Sequence, residues 1–452
     1  MNHAADADPH TIRYYTLRDL DRPPLAQRLS PALRETIRVV GHVLPFRVNS
    51  YVVDQLIDWD AVPDDPIFRL TFPQAGMLDP EARAQMAQTL ARGRPAEVRA
   101  VADRIRRTLN PHPSGQLTYN VAQLEGEVVP GIQHKYAETC LVFPSPGQTC
   151  HAFCTFCFRW AQFVGMRDLK FSTDPEMRFL PYLRAHREVS DVLFTGGDPM
   201  VMKTHLIERY VAPLLDDDFR HVSTIRIGTK MLAYWPARVL TDPDADDLLR
   251  LLERAVRAGK HVAVMAHFVH PRELSTPEVQ AAIERLRSVG VVIRTQGPLI
   301  RHINDDADAW AAMWREQVRL GLVPYYMFVE RDTGAQRYFK LPLARAYDIY
   351  RDAVAQVSGL ARAARGPVMS ALPGKVAVNG ITEIGGRRYF VLSLLQGRNP
   401  EWCNRPFLAE FDAEATWLTD LRPAHAGREF FYEPELRAMA STPRAIELAR
   451  TA

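Results

Sequence analysis

Three cysteine residues lie close together in the middle of the chain, as Cys150, Cys154 and Cys157. The whole sequence holds only five cysteines, so three in one short segment indicate a shared chemical task. The spacing Cys-x-x-x-Cys-x-x-Cys lets a single loop present three thiolates to three corners of a cubane iron–sulfur cluster. Because no fourth cysteine lies nearby, the fourth iron would be open to a ligand from outside the protein.

Two other interpretations of the cysteine segment stay open. The three thiols could belong to a zinc site with His151 as the fourth ligand, although zinc knuckles favour paired Cys-x-x-Cys spacings. They could also be buried free thiols that bind nothing. The main hypothesis is a [4Fe–4S] cluster, because the triplet spacing suits one loop wrapped around it.

An open iron of this kind suggests a specific partner molecule. In radical S-adenosylmethionine (SAM) enzymes the open iron binds the amino and carboxyl groups of SAM. The cluster then passes one electron to the sulfonium and yields a 5′-deoxyadenosyl radical. The cysteine spacing therefore favours a radical SAM enzyme over an electron carrier.

Composition points to a large protein without a nucleic-acid or membrane partner. The chain has 452 residues, 47% of them hydrophobic, and a formal net charge of +3. That charge is close to neutral for this size, and no apolar run approaches the roughly 20 residues of a membrane span. The polar, acidic start of the sequence lacks the apolar stretch of a signal peptide. We therefore expect a cytoplasmic, reducing location, which suits cluster thiolates.

Short apolar runs alternate with amphipathic runs through the middle of the sequence. Predicted strands are Thr139–Phe143, Asp191–Thr195, Thr224–Ile227, His261–Ala266, Val291–Thr295 and Pro324–Phe328, and predicted helices are Met177–Arg187, Asp244–Ala258, Thr276–Val289 and Asp308–Leu320. This alternation predicts an α/β fold with a parallel sheet, as a full or partial barrel. We expect three parts: a helical region at 1–133, a core barrel at 134–370 and a C-terminal extension at 371–452, read as a hairpin plus an irregular tail.

Residues suited to chemistry follow the predicted strands. In barrels of parallel strands, active sites form at the C-terminal strand ends. The cysteine segment follows the first predicted strand, and Gly196-Gly197-Asp198 follows the second. A glycine pair lets the backbone approach a ligand closely, although it could also be an ordinary strand-end turn.

Seven blocks of sequence, taken in order, resemble the lysine 2,3-aminomutase family of radical SAM enzymes. Besides the cysteine triplet, the blocks are His134-Lys135-Tyr136, Thr195-Gly196-Gly197-Asp198-Pro199, Arg226-Ile227-Gly228-Thr229-Lys230, His267-Phe268-Val269-His270-Pro271, Gln296 to Asp305, and Pro324-Tyr325-Tyr326. The resemblance runs from about 134 to 375. It implies a radical SAM partial TIM-type (α/β)6 barrel.

The resemblance also implies roles for individual residues. The SAM-binding residues would be Gly196, Gly197, Asp198, Thr229, His267 and Gln296. Arg159 would pair with the α-carboxylate of the substrate, a task that suits a fork-shaped guanidinium. Each of these has an alternative interpretation as an ordinary turn, core or surface residue.

A second cofactor is implied near the end of the resemblance. The family holds pyridoxal 5′-phosphate (PLP) on a lysine after a glycine-rich turn, and Lys375 stands at that place in Pro373-Gly374-Lys375. Lys135 could meet the cofactor phosphate as a point charge. The glycine run is shorter here than in the family.

The sequence differs from the family pattern at several positions that bear on the substrate. The segment 365–370 carries no carboxylate where lysine-specific members place one, whereas Glu330-Arg331-Asp332 follows Pro-Tyr-Tyr in an uncertain register. Thr139 or Cys140 stands where the family has an arginine near the phosphate. The C-terminal zinc-binding cysteines of some members are reduced to Cys403. Free L-lysine is therefore not the expected substrate.

The sequence predicts a PLP-dependent amino-acid 2,3-aminomutase, an isomerase that moves an α-amino group to the β-carbon through a 5′-deoxyadenosyl radical. The alternatives are a PLP-free radical SAM enzyme that abstracts hydrogen from an amino acid, peptide or protein side chain, and a non-catalytic metal protein. The resemblance implies a small amino-acid substrate and an electron donor such as flavodoxin or ferredoxin. The oligomeric state stays open, with a homo-oligomer as one alternative.

Overall fold

Twelve strands of this chain form one sheet, in which they lie side by side in sequence order. The structure is a computed structural model that describes residues 11–166, 168, 170–174, 179–424 and 429–441. The strands are β1 Tyr14–Tyr15, β2 Val48–Asn49, β3 Val121–Leu124, β4 Glu127–Tyr136, β5 Thr139–Val142, β6 Asp191–Phe194, β7 Thr224–Thr229, β8 His261–His267, β9 Val292–Leu299, β10 Val323–Val329, β11 Arg365–Ser370, β12 Gly374–Ile384, β13 Arg387–Gly397 and β14 Pro406–Glu410. Strands β3 to β14 build the large sheet, and β1 pairs with β2 separately.

Fourteen α-helices accompany the strands within the described ranges. They are α1 Leu25–Arg28, α2 Pro31–Gly41, α3 Pro66–Thr71, α4 Pro80–Arg92, α5 Pro95–Thr108, α6 Phe179–Ala185, α7 Thr204–Val211, α8 Met231–Tyr234, α9 Ala245–Arg257, α10 Pro277–Ser288, α11 Ala307–Arg319, α12 Gln336–Phe339, α13 Leu343–Ala355 and α14 Glu433–Ser441. Helices α6 to α13 lie in the connections between β5 and β11. Among the described residues, no helix has the length and apolar character that a membrane crossing requires.

The centre of the sheet is parallel. Strands β5 to β11 pair in parallel with their neighbours, and β3–β4, β4–β5, β11–β12, β12–β13 and β13–β14 are antiparallel. Parallel strands need long crossover connections, and the helices supply them. The protein is therefore a mixed α/β protein with a large sheet.

The structure corrects the predicted barrel in two respects. The parallel set has seven strands rather than six, because β11 (Arg365–Ser370) joins it after helix α13. The sheet is also open among the described residues, because the pairing ends at β3 and β14 and these edge strands do not pair with each other. The full barrel is therefore wrong for this chain, and the partial barrel stays a prediction.

Local sequence explains the elements that carry the site. Helix α9 buries Leu248, Leu251, Leu252 and Ala255, which recur at helical spacing along one face. Helix α10 begins after Thr276, whose side chain accepts a hydrogen bond from the backbone N–H of Val279. These helices cover the sheet and hold the strand ends in place.

All predicted strands and helices of the middle region are present, with boundaries that shift by a few residues. The predicted helix Met177–Arg187 is described from Phe179 onward, and its first two residues lie outside the described ranges. The C-terminal hairpin is also confirmed, as β12 and β13. The tail adds strand β14 and a second hydrophobic core around Phe390, Leu392, Leu394, Trp402 and Trp417. The division of the chain into three parts stays a prediction.

Candidate active site in the cavity of the sheet

One cavity collects most of the residues singled out from the sequence. Its lining includes the three cysteines, Gly196, Gly197, Asp198, Thr229, His267, Gln296, Arg159, Lys135 and Lys375. These residues come from strands β4, β7, β8, β9 and β12 and from the loops that follow β5 and β6. Since strands from both sides of the sheet line the same space, the sheet must curve around it. The cavity brings all twelve predicted site residues together.

The cysteine segment follows β5 and is fastened by the N-terminal region. The backbone N–H of Phe153 donates to the carbonyl of Arg47 at 2.8 Å, and Thr155 N–H donates to the carbonyl of Leu70 at 2.9 Å. The Arg47 guanidinium donates to the Thr149 hydroxyl at 2.5 Å and to the carbonyl of Cys150. The role of Arg47 could not be predicted from the sequence, because it lies about a hundred residues before the segment it holds.

The three thiols line the cavity. All three are free, and burial raises the pKa of Cys154 to about 11 and that of Cys157 to about 12. A zinc ion with Zn–S bonds of about 2.3 Å requires thiolates within about 4.6 Å of each other. The three sulfurs do not all lie within 4.8 Å of one another, alone or with His151, because the group that meets this limit among the described residues is His134, His186 and Glu188. The three cysteines therefore do not form a compact zinc site in this structure.

The turn after β6 packs directly on the cysteine segment. A Cβ on Gly197 would lie 2.3 Å from the carbonyl oxygen of Thr149 and 2.5 Å from its nitrogen. Gly196 has φ = +132°, a conformation that side chains rarely adopt. The glycine pair is therefore needed for the close approach of two backbones next to Cys150.

Asp198 has its carboxylate engaged by the protein. Its Oδ1 accepts from the Thr229 hydroxyl at 2.6 Å and from the Met200 N–H at 2.9 Å, and its Oδ2 accepts from the Lys230 N–H at 2.9 Å. Burial raises the pKa of Asp198, and these hydrogen bonds oppose the shift. The Thr229 hydroxyl also accepts from the Met231 N–H at 2.9 Å. Both side chains therefore fix the glycine turn to the end of β7, and their backbones face the cavity.

His267 and Gln296 lie side by side at the ends of β8 and β9, where they are partners in the strand register. The His267 ring stacks on Phe156 at 5.9 Å between centroids. Its buried Nδ1 has no hydrogen-bond partner in the protein, and burial lowers its pKa to about 3. A neutral imidazole with a free ring nitrogen is suited to a ligand that fills the cavity.

Arg159 is buried beside the cysteines and lies between two aromatic rings. Its Cζ is 4.5 Å from the Phe143 centroid and 4.8 Å from the Phe158 centroid. Burial lowers its pKa to about 10, so the guanidinium stays charged at neutral pH. The buried Nη1 has no partner in the protein, which leaves a charged donor for an anion in the cavity.

Lys375 lies across the cavity at the start of β12. Its Nζ donates to Gln396 Oε1 at 2.7 Å and lies 4.6 Å from the ring centroid of Tyr326. Burial, with Arg226 and Arg365 nearby, lowers the pKa of Lys375 to about 7. A substantial neutral fraction at physiological pH makes the amine nucleophilic.

Lys135 lies near Lys375 on β4, and its ammonium donates to the carbonyl of Ala371. Burial and the neighbouring cations Arg398, Arg331 and Lys375 lower its pKa well below the usual value. Such a group of buried cations favours an anionic ligand, and a phosphate would relieve their repulsion.

The segment Glu330-Arg331-Asp332 after Pro-Tyr-Tyr lies partly in the cavity lining. Glu330 and Arg331 line it, whereas Asp332 lies outside the lining and accepts from Asn110 Nδ2 at 3.3 Å. Burial raises the pKa of Glu330 well above its usual range, and its Oε1 has no partner. Ser370, at the end of β11, also lines the cavity.

Comparison with known proteins places the chain in a family. No family model matches the sequence. A protein of Aquifex aeolicus named "Putative L-lysine 2,3-aminomutase" is 30% identical over 387 residues, which cover 86% of this chain and 90% of that protein. The L-lysine 2,3-aminomutase of Escherichia coli is 28% identical over 51% of this chain and 64% of its own length. The glutamate 2,3-aminomutase of Clostridioides difficile is 27% identical over 47% of each chain.

Among solved structures, the Streptococcus suis SuiB complex with the precursor peptide SuiA covers 61% of this chain and 52% of that chain, with 12% identity and a TM-score of 0.35. A TM-score this low does not establish a common fold. The similarity to the Aquifex aeolicus protein extends over nearly the whole of both chains. The chain belongs to the lysine 2,3-aminomutase family.

Proposed function

We propose that this protein is a PLP-dependent radical SAM 2,3-aminomutase, which moves the α-amino group of an amino acid to the β-carbon. Membership of the family supports a radical SAM enzyme with a [4Fe–4S] cluster and SAM. The observation that carries the proposal is the single cavity that contains the cysteine segment, Arg159 and Lys375. When bound, the cluster and SAM supply a 5′-deoxyadenosyl radical, and PLP holds the migrating amino group.

The residues of the cavity divide into three groups in this proposal. Cys150, Cys154 and Cys157 hold the cluster in this proposal, because one loop carries them at Cys-x-x-x-Cys-x-x-Cys spacing into the cavity. The turn at Gly196 and Gly197 packs against the cysteine segment, so its backbone groups would bind the amino group of SAM. His267 and Gln296 line the same end of the cavity and offer polar atoms to SAM.

The opposite side of the cavity is suited to PLP and substrate. Lys375 has a lowered pKa and an aromatic neighbour, Tyr326, whose buried hydroxyl has no partner in the protein. Lys135 provides a positive charge near the phosphate position, and Arg159 provides one for the α-carboxylate. In the cavity lining, Arg159 and Arg331 each have an unpartnered guanidinium nitrogen and Glu330 has an unpartnered carboxyl oxygen, so an anionic ligand fits beside the arginines.

The test is anaerobic incubation of the reconstituted protein with SAM, a reductant, PLP and a pool of α-amino acids. We expect 5′-deoxyadenosine and one β-amino acid of unchanged mass, separated from its parent by chromatography and identified by mass spectrometry. A protein that binds no iron, or that cleaves no SAM, would contradict the radical SAM assignment.

A PLP-free radical SAM reaction is the second candidate function. The observation in its favour is the hydrogen bond from Lys375 Nζ to Gln396 Oε1, which satisfies the amine without a cofactor. The absorbance of protein-bound PLP distinguishes the two candidates. Purification from PLP-fed cells without any such band would reject the aminomutase and favour this alternative.

A further inference from the structure

The side chain of Tyr234 reaches the cysteine segment from the connection between β7 and β8. Tyr234 ends helix α8, directly after β7, and is 1% exposed. Its hydroxyl oxygen lies 3.4 Å from the Sγ of Cys154, within hydrogen-bond distance for sulfur. No sequence block of the family resemblance includes Tyr234, and the proposed function gives it no role.

The direction of this hydrogen bond follows from the chemistry of a metal-bound cysteine. A free thiol could donate or accept, but a thiolate bound to iron carries no proton. With the cluster in place, the Tyr234 hydroxyl must therefore donate to the Cys154 sulfur. A phenol carries its proton at neutral pH, so the hydroxyl can donate.

A lysine side chain packs against the Tyr234 ring. The Lys230 ammonium lies 4.6 Å from the Tyr234 ring centroid. It is held there by Glu273 Oε1 at 2.6 Å and by the carbonyl of His267 at 3.2 Å. A cation is attracted to the face of an aromatic ring, so the Lys230–Glu273 ion pair helps to hold the Tyr234 ring in place.

The buried side-chain amide of Asn49 connects Tyr234 to the cysteine segment. The Asn49 side chain, which is fully buried, donates to the carbonyl of His151 at 3.1 Å and to the carbonyl of Tyr234 at 2.9 Å. One side chain therefore ties the backbone of the cysteine segment to the backbone of Tyr234. Such a connection is expected where the orientation of a group toward a metal ligand matters.

We propose that Tyr234 is a positioning residue that donates a hydrogen bond to the cluster-bound Cys154 and raises the reduction potential of the cluster. Hydrogen bonds to cluster sulfurs stabilise the more negative, reduced state and shift the potential upward. The inference rests on the proposed function, because it requires the [4Fe–4S] cluster on the three cysteines. The hydrogen bond from Tyr234 would make the cluster accept more easily the electron that SAM cleavage consumes.

The experiment is a mediated redox titration of the anaerobically reconstituted full chain, read by the paramagnetic resonance signal of the reduced cluster. For Tyr234→Phe we expect a more negative midpoint, with the cluster about tenfold less reduced at the wild-type midpoint, which is a shift of about 59 mV for one electron. Tyr210→Phe is the matched control. Tyr210 is equally buried and donates to the carbonyl of Thr173 at 2.8 Å, away from the cavity, so its midpoint should not move.

A second variant guards against loss of the cluster in Tyr234→Phe. Replacing Tyr234 by 3-fluorotyrosine keeps the shape and makes the phenol more acidic, so the midpoint should become more positive. A fully loaded cluster with the wild-type midpoint in both variants would overturn this inference alone. If the unsubstituted protein binds no cluster, the proposed function fails and this inference fails with it.

Discussion

Arg159 and Arg331 lie against the same aromatic ring, with their Cζ atoms 4.8 Å and 4.7 Å from the centroid of Phe158. Each guanidinium also has a buried nitrogen without a partner, Nη1 in Arg159 and Nε in Arg331. Two such cations cannot lie this close in a dry cavity without a cost, and each lowers the tendency of the other to stay charged. An anionic ligand beside Phe158 would relieve that cost.

The cluster assignment is tested by single cysteine changes. Cys154→Ala should remove nearly all bound iron after anaerobic reconstitution, because two thiolates hold a cubane cluster poorly. Cys403→Ala, at a cysteine outside the cavity, is the matched control and should keep its iron. Iron analysis and the absorption spectrum provide the measurement. Full iron content in Cys154→Ala would exclude this cysteine as a ligand.

The glycine turn is tested at Gly197. A methyl group there would meet the backbone of Thr149, so Gly197→Ala should displace the cysteine segment and lower both cluster content and melting temperature. Gly359→Ala is the matched control, since a Cβ at that glycine meets no atom within 4 Å. Calorimetry and iron analysis measure the two effects. Equal behaviour of the two variants would show that the close approach is unnecessary.

Lys375 should capture PLP with an unusual pH dependence. Below its pKa of about 7 the side chain is a protonated ammonium and cannot attack an aldehyde, whereas above it the neutral amine can. The rate of PLP capture should therefore rise through about pH 7, instead of near the ordinary lysine pKa of about 10.4. Absorbance of the protein-bound cofactor follows the reaction in stopped-flow.

The control for Lys375 is a pair of alanine variants. Lys375→Ala should lose the cofactor absorbance, and Lys203→Ala, at an exposed lysine, should keep it. Retention of the band in Lys375→Ala would assign the cofactor to another lysine, with Lys135 the nearest candidate in the cavity.

Arg159→Lys should keep the cofactor spectrum but lower kcat/KM by roughly 10²-fold, because a point charge replaces a guanidinium fork and misplaces the substrate. Steady-state assays of product formation measure the loss. Arg351→Lys, on the exposed face of α13, is the matched control and should leave the rate unchanged. Wild-type turnover in Arg159→Lys would remove Arg159 from the substrate site.

L-Lysine should be a poor substrate relative to another α-amino acid, because Ser370 offers no carboxylate to its ε-ammonium. Ser370→Asp places a carboxylate at that point of the cavity and should raise kcat/KM for L-lysine. Competition between L-lysine and the pooled amino acids, analysed by mass spectrometry, measures the preference. Efficient L-lysine turnover by the unsubstituted protein would refute this specificity argument and leave the aminomutase reaction itself standing.

Local patterns in the sequence were sufficient for the central architecture and for the choice of chemistry. Apolar runs such as His261–Ala266 and amphipathic runs such as Asp244–Ala258 are short-range signals, and the structure contains both elements. The cysteine spacing and the ordered family blocks likewise depend on neighbours along the chain. These signals indicated the family and twelve residues that the structure gathers into one cavity.

Only the tertiary structure decided what each of these side chains does there. Asp198 and Thr229 bind each other and the backbone instead of offering free polar atoms, which no spacing along the chain reveals. Arg47 and Asn49 hold the cysteine segment from more than a hundred residues away. The lowered pKa of Lys375 depends on burial and on arginines of other strands. Contacts of this kind form only between strands that become neighbours in the sheet. Long-range packing, rather than local sequence, determines which strands are neighbours.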